Sequence, residues 1–197
     1  MTTHIYLVRH GHHALLGRVL CGRMPGVRLD ELGCQQMEAT AQFIRTVAPQ
    51  AIQSSPQGRA LQSAGIIAAR CALPVEIVPA FDEIDVGRWT GSAFSDLAGQ
   101  RPWQRWNSRR GRSRPPGGEG MGALQSRVVA HIEQFRGDHG QSVVIVSHAE
   151  PIRAALMHYL GVPLDLFGSV DVAPASVSCI SLDRSQTIVA LVNGVKA

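Results

Sequence analysis

Arg9 and His10 follow directly on the apolar run Ile5-Tyr6-Leu7-Val8 and are themselves followed by Gly11. A guanidinium suits phosphate, because its planar fork donates two parallel hydrogen bonds. An imidazole beside it can serve as nucleophile or as proton shuttle. Gly11 lets the backbone turn sharply and come close to a ligand. The plainer alternative is a strand end whose two polar residues meet solvent. A second histidine, His148, ends the run Val143-Val144-Ile145-Val146-Ser147 and is followed by Ala149. Arg59 lies just after Pro56, in the first turn of an expected helix for which Ser55 is the candidate N-cap. A cation there opposes the helix dipole, so a merely solvated arginine fits poorly. An anion held between the guanidinium and the exposed N–H groups fits well.

Elements must bring these groups together. Both histidine-terminated runs are apolar and rich in β-branched residues, the pattern of core strands buried on both faces. If the two strands are parallel, His10 and His148 share the C-terminal edge of the sheet, where open α/β sheets bind ligands. The remaining chain alternates strand and helix. Strand 4–8 leads into a glycine-containing loop, then a helix over about 30–48 with Asp30 as N-cap and Met37, Ala41 and Ile44 on one face. Strand 51–54, helix 56–70 and strand 75–78 follow. Helices are expected at 93–106 and 121–137. Strand 142–147 precedes a helix beginning at Pro151, and 176–183 with 187–193 read as a closing pair of strands around Asp183-Arg184-Ser185-Gln186. The expected fold class is α/β, a three-layer α/β/α sandwich with a mostly parallel central sheet, in one domain over 1–197.

Four stretches resemble the histidine phosphatase superfamily, the phosphoglycerate-mutase-like enzymes. They are Leu-Val-Arg-His-Gly (7–11), Ser-Ser-Pro-Gln-Gly-Arg-Ala-Leu-Gln-Ser-Ala (54–64), Phe-Asp-Glu-Ile-Asp-Val-Gly-Arg-Trp-Thr-Gly (81–91) and Val-Ser-His-Ala (146–149). They stand in the family's order, and 81–91 is similar to the same segment of α-ribazole phosphatases. The resemblance implies that His10 is the phosphorylated nucleophile and that Arg9, Arg59 and His148 hold the phosphoryl oxygens. It implies that Glu83 is the acid protonating the leaving group. The chemistry agrees: phosphoryl transfer is mostly positioning and electrostatics, and a leaving alkoxide needs a proton. His148 is expected to act as a cation. Asp82 and Asp85 are rivals to Glu83.

The chain departs from the pattern in one place. The family usually has Glu or Gln, then Thr or Ser, after Arg-His-Gly; here His12 and His13 stand there. His13 is thus a candidate donor in place of the missing hydroxyl. His4, His10, His12 and His13 could take a metal adventitiously, but no acidic or cysteine partner accompanies them at a recognisable spacing, so neither metal nor cofactor is expected. The turn Leu20-Cys21-Gly22-Arg23 resembles the family's substrate-contacting turn, with Cys21 where the mutases tend to have Thr. Cys21, Gly22, Arg23, His13 and Ala149 are therefore candidate substrate contacts, and Gly11 a candidate phosphate contact.

Segment 93–120 carries Arg101, Arg105, Arg109, Arg110, Arg112 and Arg114 with Trp103 and Trp106 interleaved. It is expected to be a cap or loop insertion over the site, lending cations to the substrate. A solvated loop with its tryptophans on the body is the alternative; a nucleic-acid surface is set aside because the patch is short and lacks a recognisable binding fold. Glu119 is the expected cap of the following helix.

With 197 residues, 45% hydrophobic content and a net charge of +4, the chain suits a globular core and an anionic partner. Cys21, Cys34, Cys71 and Cys179 show no paired spacing, which points to a reduced, cytoplasmic protein. No run has the length of a membrane helix. The leading functional expectation is a phosphomonoesterase acting on a small soluble phosphate ester, with self-association open. The alternatives are a cofactor-dependent phosphoglycerate mutase and a catalytically weak module that binds phosphoesters or a partner.

Overall fold

The computed structural model describes residues 1–137 and 140–194. Six strands form one sheet: β1 (Thr3–Arg9), β2 (Ala51–Ser54), β3 (Val75–Ile77), β4 (Ser142–Ser147), β5 (Val177–Leu182) and β6 (Thr187–Gly194), in the order β3-β2-β4-β1-β5-β6. The first four in that order run parallel, and β5 is antiparallel to both β1 and β6. The described residues also form six α-helices: α1 (Glu31–Thr46), α2 (Gly58–Cys71), α3 (Phe94–Ala98), α4 (Arg101–Ser108), α5 (Met121–Ile132) and α6 (Ala149–Tyr159).

Alternation along the central strands divides the core in two. Ile5 and Leu7 of β1 with Val143 and Ile145 of β4 meet Leu124, Val128 and Ile132 of α5 and Ile152, Ala155 and Leu156 of α6. Val8, Val144 and Val146 face the other way, onto Met37, Ala41 and Ile44 of α1 and Ala60, Ala64 and Ile67 of α2. A strand buried on both faces has no polar side, which explains the unbroken apolar runs. The three-layer sandwich with a mostly parallel sheet is thus the architecture observed.

Register decides where the chemistry falls. β1 and β4 pair Val8 with Val146 and Arg9 with Ser147, and His10 N–H donates to the Ser147 carbonyl at 3.0 Å. His10 and His148 therefore leave the sheet side by side. β2 pairs Ser54 with Val146, which delivers Ser55 to the same rim.

Four local expectations are corrected. Ser55 is not the N-cap of α2. The helix begins at Gly58 with Gln57 in the cap position, and Ser55 Oγ bonds His148 Nε2 at 2.7 Å. The helix expected at 93–106 is two, broken at Gly99 and Gln100; Pro102 lies in the first turn of α4, where its missing N–H costs nothing. Glu119 caps no helix. Gly120 holds the cap position of α5, while Glu119 accepts hydrogen bonds from Arg127 and Arg23. Two guanidiniums give its carboxylate charge-assisted hydrogen bonds in place of a helix cap. The helix of the expected 121–137 span ends at Ile132 and continues as a short 3-10 turn. Among the described residues, no helix is long and apolar enough to cross a membrane.

Candidate active site

A cavity of about 130 Å³ opens at the C-terminal edge of β1. Arg9, His10, His13, Cys21, Gly22, Arg59, Glu83, Ala149 and Glu150 line it, with Leu16, Leu20, Val86 and Phe94 forming an apolar wall.

His10 is 3% exposed and fixed at both nitrogens. Its Nδ1 donates to the Gly11 carbonyl at 2.8 Å, so that nitrogen carries the proton. Its Nε2 accepts from Arg59 Nε at 3.3 Å and keeps its lone pair. Burial, then the charges of Arg59 and Arg9, hold the imidazole well below its ordinary pKa. His10 is therefore neutral and presents a nucleophilic Nε2.

Arg59 comes from the first turn of α2, as its spacing suggests. Its Nη2 donates to the Gly22 carbonyl at 2.7 Å, while Nη1 is buried without a partner. Arg9 donates from Nη1 to the Val172 carbonyl at 2.7 Å, and its Nε is likewise buried and unpartnered. His13 is 3% exposed with an unpartnered Nδ1 and stacks obliquely on His10, ring centroids 5.4 Å apart. Burial and the same two arginines lower its pKa to about 4. Buried donors without acceptors cost free energy. Three such nitrogens on cavity-lining side chains mark a place for an oxyanion.

His148 lies behind His10, fully buried, with ring centroids 5.1 Å apart and its own Nδ1 unpartnered. Burial, followed by Arg59, pushes its pKa well below the ordinary range. Burial beside two arginines thus favours the neutral ring, where a cation had been expected.

Glu83 reaches the cavity from the loop after β3. Burial first, and the Glu150 carboxylate second, raise its pKa to about 7, against the opposing pull of Arg59. The Ile84 N–H donates to its Oε1 at 2.8 Å. Its backbone is clamped, for the Glu83 carbonyl accepts from Arg23 Nε at 2.7 Å and Arg127 Nη2 at 3.3 Å. Glu119 gathers those two arginines. The rivals are engaged elsewhere: Asp82 accepts from Gln57 Nε2 and the Glu83 N–H, Asp85 from the Gly87 N–H.

The weaker candidates divide. Cys21, Gly22 and Ala149 line the cavity, but Arg23 and Gly11 do not. Arg23 turns to Asp82 and Glu119, at 3.3 and 3.2 Å. Gly11 donates its N–H to Ser63 Oγ and lies against the start of α1. The four N-terminal histidines do not converge, since His4 bonds Ser181 at the far end of β1 and His12 bonds Asp30 at 2.5 Å.

The arginine-rich segment is also corrected. Phe94 reaches the cavity wall, but none of the arginines of 101–114 does. Trp106 is buried and Trp103 packs edge-on against Trp89. Arg110 is drawn inward by Glu150, at 3.5 Å, and by the rings of Trp106 and Phe167. Glu150 is the residue that sequence reading missed. Its only signal was a carboxylate two positions beyond His148, in the first turn of α6, where helix dipole and rim coincide.

Parallel strands ending in paired histidines, two guanidiniums with unpartnered nitrogens and a carboxyl of raised pKa define a phosphoryl-handling hydrolase. The model of the histidine phosphatase superfamily (branch 1) matches residues 5–194, and the chain belongs to that family. Phosphoserine phosphatase 1 of Hydrogenobacter thermophilus is 32% identical over 168 residues, covering 84% of this chain and 80% of the relative. The adenosylcobalamin/α-ribazole phosphatase of Escherichia coli is 24% identical over 195 residues, covering 96% and 95%. The solved structure of Bacillus stearothermophilus YhfR superposes with a TM-score of 0.90 at 25% identity, covering 98% of each chain.

Proposed function

We propose that this chain hydrolyses small phosphate monoesters in two steps through His10. The phosphoryl group enters among the unpartnered nitrogens of Arg9, Arg59 and His13, with His148 behind. The lone pair on His10 Nε2 attacks phosphorus, and the bond to the ester oxygen breaks. Glu83, still protonated near neutral pH, gives its proton to the departing alkoxide. Arg9 and Arg59 balance the charge spread over the equatorial oxygens. The Glu83 carboxylate then takes a proton from a water, which attacks phosphorus and frees His10 and phosphate. No step leaves a proton unaccounted for, since Glu83 gives one and regains one.

The observation that carries this reading is the state of His10. Its protonated Nδ1 is spent on the Gly11 carbonyl, so the lone pair lies on Nε2, where it accepts from Arg59 Nε in the same cavity as the unpartnered arginine nitrogens. That geometry prepares attack, whereas a site for holding phosphoesters has no need of a fixed tautomer. After Gly11 the chain has His12-His13 and lacks the Ser/Thr and Trp-Asn residues that follow Arg-His-Gly in the mutases, which favours water as the phosphoryl acceptor. The deciding assay is nitrophenyl phosphate hydrolysis with a chelator present, beside 3-phosphoglycerate supplied with its bisphosphate. Steady release of nitrophenol, with no interconversion of phosphoglycerates, is expected. Interconversion would favour a mutase, and silence on every phosphate ester a binding module.

A further inference from the structure

The cavity has one acceptor that phosphate cannot use. Glu150 Oε2 is buried without a hydrogen-bond partner among the described residues, and Glu150 lines the cavity beside Ala149. Two cations stand near it without satisfying it. Arg153 Nη1 is 3.7 Å from Oε2, too far for a hydrogen bond, and Arg110 Nη1 is 3.5 Å from Oε1. Neither is free to come closer. Arg153 donates from Nε to the Val170 carbonyl at 2.6 Å and lies over the Phe167 ring at 4.3 Å. Arg110 donates from Nη2 to Asn107 and is held between Trp106 and Phe167. The pair of guanidiniums balances the carboxylate charge and leaves Oε2 without a hydrogen bond on a side chain that lines the cavity.

A buried acceptor left unmade is costly, and a site built around one discriminates strongly in favour of ligands that complete it. The unpartnered nitrogens of Arg9 and Arg59 are donors, as is His13 Nδ1 in the tautomer that carries its proton there, and suit the phosphoryl oxygens. Oε2 is the reverse and repels them. The other carboxylate on the cavity wall, Glu83, is committed to the ester oxygen in the reaction proposed above. The remaining wall is apolar at Leu16, Val86 and Phe94, and its Cys21 thiol is turned to the Val19 carbonyl at 3.6 Å. We infer that Glu150 is a specificity-determining residue: its Oε2 receives a hydrogen bond from an ammonium or hydroxyl group on the alcohol half of the substrate. This rests on the phosphatase reading and narrows it to phosphate esters of amino alcohols and polyols. A charged acceptor makes the ammonium the stronger ligand.

The test compares 2-aminoethyl, 2-hydroxyethyl and propyl phosphate, which match in size and differ in the terminal group. Wild-type kcat/KM is expected to fall in that order, with the ammonium ester ahead of the propyl ester by about tenfold or more. In Glu150→Gln the ammonium-to-propyl ratio is expected to collapse toward one. Because the ratio is read within each enzyme, any effect of the substitution on folding yield cancels. The wild-type order is informative even if the variant fails to fold. Equal turnover of the three esters, turnover of none of them beside active hydrolysis of nitrophenyl phosphate, or an unchanged preference in Glu150→Gln overturns the assignment and leaves the phosphatase reading standing. Inactivity of the wild type on nitrophenyl phosphate as well overturns both.

Discussion

Glu83 shows how one side chain is fitted to a task by its surroundings. An ordinary carboxyl is ionised at neutral pH and cannot protonate a leaving group. Burial and the neighbouring Glu150 carboxylate keep this one protonated up to about pH 7. With a folded-state pKa raised in this way, the acid is present below about 7 and lost as pH rises through it. The kcat/KM profile for an alkyl phosphate should therefore fall on its alkaline side near that pH. Glu150→Gln removes the second of the two causes and leaves the first, so the alkaline limb should move to lower pH without reaching the ordinary carboxylate range. An unmoved limb would show that another group titrates there. At this scale the sequence was legible wherever a residue is placed by its own strand or helix. Arg9, His10 and His148 follow strands whose register can be guessed, and Arg59 is fixed by Pro56 and the helix start. Glu150, Ser55 and Glu119 owe their roles to partners far along the chain, such as Arg110, His148 and Arg23. Local pattern does not show those pairings. The neutral state of His148 was equally out of reach, since it depends on burial and on Arg59 across the rim.

Elements convert those residues into a fixed geometry, and the contact of α1 with the β1 loop is the tightest example. A Cβ at Gly11 would stand 2.5 Å from the Gly33 carbonyl oxygen, and one at Gly33 would meet the His12 carbonyl. Two backbones thus touch where the chain leaves β1, and the Gly11 carbonyl is held in place to accept from His10. Close approach, rather than a left-handed turn or contact with a ligand, is why Gly11 must be glycine. Gly11→Ala should destabilise the fold by roughly 1–3 kcal/mol, the usual cost of overpacking, as read from urea denaturation. It should also lower kcat, because the carbonyl that sets the His10 tautomer is displaced. The order of strands across the sheet is set by long-range pairings that local pattern does not show, but the succession of strands and helices was legible from periodicity. The break at Gly99 and Gln100 was not, because a run rich in Trp and Arg reads as helix throughout.

Over the whole molecule, the cost of building this site appears as pH dependence. His10 and His148 are held well below the ordinary histidine pKa, and His13 at about 4. Below about pH 6.5 the unfolded chain binds protons at these rings and the folded chain does not, so stability falls as pH drops. Glu83 works the other way between its ordinary and raised pKa values, one group against three. The net expectation is a melting temperature lower at pH 5 than at pH 7, on the order of 5–10 °C. Inorganic phosphate should raise it, since an anion binds the folded state alone and favours the charged rings. Calorimetry at the two pH values, with and without phosphate, checks both; a higher melting temperature at pH 5 would contradict the burial of neutral histidines. The central claim, that His10 Nε2 is the nucleophile, has a more direct test. Glu83→Gln, which cannot activate water, should accumulate a phosphoenzyme from nitrophenyl phosphate after a burst of nitrophenol. Phosphorus NMR and peptide mapping of the trapped species should place one acid-labile phosphate on His10 at Nε2, because Nδ1 is spent on the Gly11 carbonyl. Phosphate on Nδ1 of His10, on His13 or His148, or on no residue despite a burst, would contradict it.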